Sequence, residues 1–175
     1  MIQSHLNDNE FHPNGSTLCL ACGLCCSGAL FTRAFIHDHE VQFVESLGLS
    51  VFAKNQRFGF HLPCPQLDDK RCTIYAHTRP SVCGGFQCDL LKKYLAGDVT
   101  LSSALESVAR LQDLLQEVKK NLPEGIIWEQ ISDTDSEYAR AIFENPEQRQ
   151  AHPELMMAWA RFNRYTQKHF QKNKP

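Results

Sequence analysis

Eight cysteines, Cys19, Cys22, Cys25, Cys26, Cys64, Cys72, Cys83 and Cys88, fall within 70 residues, and residues 89–175 contain none. Thiols gathered this densely serve as disulfides, metal ligands or catalytic groups, and the redox compartment decides which. The N-terminal run Met1-Ile2-Gln3-Ser4-His5-Leu6-Asn7-Asp8 has neither the basic region nor the apolar region of a secretory signal. The expected location is therefore cytoplasmic, where disulfides do not persist, and the cluster reads as metal-binding. Leu18 to Phe31 looks apolar largely because it holds four cysteines. It falls well short of the ~20 residues that cross a bilayer, so no membrane association is expected.

Composition narrows the field further. A chain of 175 residues fits one domain, and 42% hydrophobic with 22% charged residues is the balance of an ordinary folded protein. Lys and Arg number 18 against 20 Asp and Glu. That balance lacks the basic surplus that phosphate-backbone binding requires, so no nucleic-acid partner is expected.

The chain divides into a polar N-terminal tail (1–18), a cysteine-cluster metal-binding module (19–97) and a C-terminal helical segment of the same domain (98–175). In the last segment, Thr100 or Ser102 caps a helix whose Leu105, Val108, Leu111, Leu115, Val118 and Leu122 keep a 3.6-residue spacing until Pro123. A shorter helix is expected from about Asp135 to Phe143. A final one runs from Pro153 through Leu155, Trp159, Phe162 and Tyr165 toward Phe170. In the module, Asp38 is expected to cap a short helix through Val41, Val44 and Leu47 that stops at Gly48. Another helix follows Cys88 through Leu90, Leu91 and Tyr94 to Gly97. Phe58, Phe60 and Leu62 alternate with Gly59 and His61, the period of a short strand. The expected fold is mainly α: an irregular, metal-stapled, Cys-rich N-terminal module packed with C-terminal helices in one domain.

Cys19-x-x-Cys22-x-x-Cys25-Cys26 opens the cluster, and two thiolates two residues apart in a tight loop can bite one tetrahedral ion, either zinc or part of an iron-sulfur cluster. Soft sulfur donors exclude Mg²⁺ and Ca²⁺. Adjacent Cys25 and Cys26 diverge if the backbone there is extended, which sends them to different centres. Eight thiolates match two four-coordinate sites. The C-x-x-C-x-x-C run with a remote Cys-Pro pair groups Cys19, Cys22 and Cys25 with Cys64, leaving Cys26, Cys72, Cys83 and Cys88 for the second centre. One shared multinuclear cluster would use the same eight atoms. Two divalent ions on eight thiolates leave about four negative charges, so Arg33, Arg57, Lys70, Arg71, Arg79, Lys92 and Lys93 are candidate compensating cations. His37, His39, His61 and His77 are expected to be surface residues, and Tyr75 and Phe86 to pack beside the sulfurs.

Cys19-Leu20-Ala21-Cys22-Gly23-Leu24-Cys25-Cys26, Cys64-Pro65-Gln66-Leu67, Cys72-Thr73-Ile74-Tyr75 and Arg79-Pro80-Ser81-Val82-Cys83-Gly84-Gly85-Phe86-Gln87-Cys88 occur in that order. In this the sequence resembles the CxxCxxCC, or YkgJ-type, cysteine-cluster family of zinc- or iron-chelating domains, over roughly residues 19–97. Gly84 and Gln87 depart from the family pattern, which often carries Arg and Pro there. The resemblance implies a metalloprotein that binds zinc or an iron-sulfur cluster through the eight cysteines, with a redox or electron-transfer role. A structural zinc-binding adaptor and a flagellin lysine methylase-like enzyme component are the alternatives. No catalytic residue is assigned: no Gly-x-Gly-x-Gly loop is present, and the radical S-adenosylmethionine spacing fails at Ala29.

Overall fold

The computed structural model describes residues 15–133 and 136–171. The expected helix start at Asp135 lies outside them, as does most of the N-terminal tail. Among the described residues there are nine α-helices and five short strands, so the chain is mainly α.

The longest helix, α5 (Leu101–Lys120), begins where the Thr100 hydroxyl accepts a hydrogen bond from the Ser103 N–H at 3.2 Å. Its buried stripe is Ala104, Val108, Leu111, Leu114, Leu115 and Val118. It packs against α9 (Pro153–His169), which buries Leu155, Ala158, Phe162 and Thr166, and Arg161 pairs with Glu117 across the two at 3.4 Å. Between them run α6 (Trp128–Ser132), α7 (Glu137–Phe143) and α8 (Pro146–Ala151). Trp128, Phe143, Trp159 and Phe162 form an aromatic cluster there, with the Phe143 and Trp159 rings stacked 4.5 Å apart.

The cysteine-bearing half joins this core directly. Leu18 from α1 (Gly15–Cys22), Leu24, Ala29 and Leu30 from the following loop, and Leu90, Leu91 and Tyr94 from α4 (Asp89–Leu95) belong to the same buried cluster as the α5 and α9 stripes. A second, smaller core of Ile36, Val44, Leu49 and Phe60 sits under a three-stranded antiparallel sheet. That sheet orders β1 (Arg33–Ile36), β3 (Arg57–His61) and β2 (Val51–Lys54), with Ala34 and Val51 both opposite Phe60. Helix α2 (Val41–Ser46) covers it and stops at Gly48, whose φ of 79° is a left-handed exit that glycine adopts without strain. A two-stranded hairpin, β4 (Leu67–Asp68) and β5 (Arg71–Cys72), and the short α3 (Ser81–Gly85) complete the half.

Two expectations change. The first half is not irregular but a set of short helices and small sheets. Asp38 does not cap α2: it opens a 3-10 turn (38–40), and the end is closed instead by Glu40, which accepts the His37 N–H at 3.0 Å. Among the described residues no helix is long and apolar enough to cross a membrane.

Leu111 is fully buried where the two halves share their core. Leu111→Ala is expected to lower unfolding free energy by about 2–5 kcal/mol, read from urea denaturation, because the site is too hemmed in to collapse.

Candidate metal centre

Cys19 and Cys22 stand on α1, three residues apart and so on one face of a helix rather than in a loop. Gly23 ends that helix at φ 62°, and an ideal Cβ there would lie 2.5 Å from the Lys70 carbonyl oxygen, so the chain can turn here only with glycine. The next residues coil tightly: the Ser27 N–H bonds to the Gly23 carbonyl at 2.9 Å, Ala29 to Leu24 at 3.1 Å, and Gly28 to Cys25 at 3.2 Å. Cys25 and Cys26 therefore sit in a turn, not in the extended backbone expected from sequence.

Cys64 arrives beside this turn from the end of β3, and its N–H donates to the Cys26 carbonyl at 2.8 Å. The β4–β5 hairpin places Cys72 opposite Leu67, whose own N–H bonds to the Cys64 carbonyl at 3.0 Å. Cys83 rides on α3. Buried Glu40 holds the start of that helix, accepting from the Ser81 N–H at 2.6 Å and the Ser81 hydroxyl at 2.9 Å. Those bonds keep its carboxyl below the usual carboxylate range. Cys88 caps α4, its sulfur accepting the Leu91 N–H at 3.4 Å, and α4 lies along α1.

Electrostatic neighbourhood sorts the thiols. Burial, then Cys88, raises Cys19. Burial pushes Cys22 up to about 12 against the relief of a bond from Leu24, with Cys88 and Cys19 adding to the rise. Cys25 rises well above the ordinary thiol range through burial, then Cys22 and Cys88. Cys26 answers to a different set: burial, then Cys64, Cys72 and Cys83, push it up to about 12. Burial, then Cys64, pushes Cys83 up to about 11. Burial also raises Cys64, and Cys72 adds to it. Cys19, Cys22, Cys25 and Cys88 thus form one group, and Cys26, Cys64, Cys72 and Cys83 the other. Compared with the sequence expectation, Cys64 and Cys88 exchange places. Their positions follow from the Cys64 N–H bond to Cys26 and from the packing of α4 on α1, neither of which local spacing encodes.

Of the seven candidate cations, Arg79 acts on both groups, opposing the rise at Cys19 and at Cys83, while its guanidinium lies 4.0 Å from the centre of the Tyr75 ring. Arg33 pairs with Asp133, Arg57 lies over Phe35, Lys70 reaches Gln112 and Lys92 reaches Asp89. Exposed His37 and His39 stack on each other, and His61 leans on Phe52. Two positioning residues escaped the sequence reading. Glu40 fixes α3, and Gln112 on α5 donates to the Cys22 carbonyl at 2.9 Å, tying the end of α1 to the helical half. Polar residues inside apolar helical stretches were the available signal.

All eight cysteines are free of disulfides. Among the described residues, no three His, Cys, Asp or Glu side chains stand as a finished metal site. The donor chemistry nevertheless suits a soft cation: each group is four sulfurs, and the burial and mutual repulsion that oppose ionisation are what a bound cation relieves.

Fold and site together define a helical chain with a two-part thiol cluster at one end. Residues 18–100, which contain all eight cysteines, match the CxxCxxCC family, described as a "putative zinc- or iron-chelating domain". No curated protein and no solved structure matches the chain.

Glu40→Ala leaves the Ser81 and His37 donors without their partner and is expected to destabilise the fold by about 1–3 kcal/mol in urea melts. Because the folded carboxyl titrates lower than the unfolded one, its contribution is present above the unfolded pKa. It is lost as pH falls through the folded value.

Proposed function

We propose that the chain is a cytoplasmic metalloprotein holding two metal centres, one on Cys19, Cys22, Cys25 and Cys88 and the other on Cys26, Cys64, Cys72 and Cys83. The observation that carries this reading is the sorting of eight free thiols into two groups of four about the Cys25–Cys26 step. Peptide N–H groups already point at three of the sulfurs: Leu24 at Cys22, Gln66 at Cys64, and Leu91 at Cys88. Such bonds stabilise a thiolate and tune a bound ion. Bound iron-sulfur would supply one-electron redox chemistry, and bound zinc would supply folding free energy. Residues 19–97 act as the metal module, and 98–175 as the helical support of the same domain.

Anaerobic purification with elemental analysis and a visible spectrum tests the reading. Brown protein with iron and labile sulfide assigns an electron-transfer role, and colourless protein with zinc assigns a structural one. About two metal equivalents are expected per chain for zinc, since each four-thiolate site closes on one ion. Cys64→Ser and Cys88→Ser should each lose one centre and keep the other. A single shared cluster is the answer if either variant empties the chain, and protein free of both metals defeats the reading.

Metal must displace protons from thiols whose pKa is raised, so affinity is expected to fall as pH decreases. Stripping the metal should remove far-UV circular dichroism belonging to 19–97 while α5 and α9 keep part of theirs. An unchanged spectrum after verified metal loss contradicts this.

A further inference from the structure

The two thiol groups are unequally covered. Cys19, Cys22, Cys25 and Cys88 pack against the large core built by α1, α4, α5 and α9, whereas Cys64 packs against the small core beneath the sheet. Cys83 is exposed, while the other seven cysteines are partly covered. Residues 83–87 form an unbroken exposed run over α3 and its exit.

Within that run, Gly84 and Gly85 have no conformational reason to be glycine. Neither has a left-handed φ, and a Cβ at either would meet no atom within 4 Å. Glycine inside a helix is destabilising relative to alanine by roughly 0.5–1 kcal/mol. The physical effect of this pair is to leave the surface beside Cys83 bare. Phe86 follows, 39% exposed, with one edge against Phe31 at 4.8 Å between centroids.

We infer that the Cys26, Cys64, Cys72 and Cys83 centre exchanges its metal with a thiol-bearing acceptor that approaches over the bare Gly84–Gly85 surface, while the Cys19, Cys22, Cys25 and Cys88 centre keeps its metal. The inference rests on the two-centre reading above. Exchange is a ligand substitution. The bond from the ion to the Cys83 sulfur breaks as a bond to the acceptor sulfur forms, and the acceptor's proton ends on Cys83. Sulfur count, charge and oxidation state are all conserved in that step. Cys83 is the ligand suited to leave first, because the short α3 holds it and no side chain from residues 84 or 85 stands over it.

The test uses the full chain loaded with Zn²⁺ and mixed with excess dimercaptosuccinate, a dithiol acceptor, with the zinc retained by the protein followed in time. One equivalent is expected to leave in a fast phase and the other in a slow phase. Alkylation of half-depleted protein followed by mass spectrometry should mark Cys26, Cys64, Cys72 and Cys83 first. Gly84→Arg drapes a long side chain over the opening and should slow the fast phase about tenfold while sparing the slow one. Gly84→Ala should change little. Should Gly84→Arg alter the far-UV spectrum, Gly85→Arg makes the same comparison. Release of both equivalents in one phase, early marking of Cys19, Cys22, Cys25 and Cys88, or a fast phase indifferent to the arginine overturns the inference and leaves the two-centre reading standing. A chain that takes up neither zinc nor iron overturns both.

Discussion

Eight thiols held partly out of water near one another cannot all ionise without positive charge supplied from elsewhere. Burial is the largest cause of the raised pKa at Cys22, Cys25 and Cys26, and neighbouring thiolates add to it. The chain itself provides little relief. Arg79 opposes the effect at one member of each group, and a few peptide N–H groups do so at others, while several nearby cations are engaged in pairs away from the sulfurs. Such a cluster is an electrostatic demand built into the fold, and a soft cation is the partner that meets it.

The helical half answers a mechanical need of the other half. Helix α1 has eight residues and α3 only five, and neither could hold its cysteines in place alone. Leu18, Leu24 and Leu30 therefore sit in the same core as Leu111 and Phe162, and polar stitches secure the intervening backbone. Gln112 holds the end of α1, and Gln171, beyond α9, holds the Leu30 carbonyl at 2.8 Å. On the opposite side Glu40 does the same for α3. Support therefore comes from sequence positions far from any cysteine.

Much of the fold was legible in the residues. The α5 stripe ran long enough for its period to be unmistakable, and Thr100 marked its start. Gly48 marked the end of α2, and Pro153 the start of α9. Legibility failed where elements were short or their period was masked. Strand β2 has four residues, and cysteines interrupt the apolar pattern of α1. Helix α8 has no apolar stripe at all, although the Asn145-Pro146 pair, a capping side chain followed by proline at the first helical position, was its local signature. The eight thiols were plain from the sequence and their grouping was not, since Cys64 and Cys88 take their places from backbone pairing and helix packing over long sequence separations.

One peptide bond joins the two groups, because Cys25 faces one set of sulfurs and Cys26 the other. A cation captured by either set freezes the φ and ψ of that step. The other set then loses less conformational entropy when its own cation arrives. Occupancy is thereby coupled through the backbone, giving positive cooperativity without direct contact between the ions. It also gives loading a natural order, in which filling of the deeply packed group prepares the exposed one.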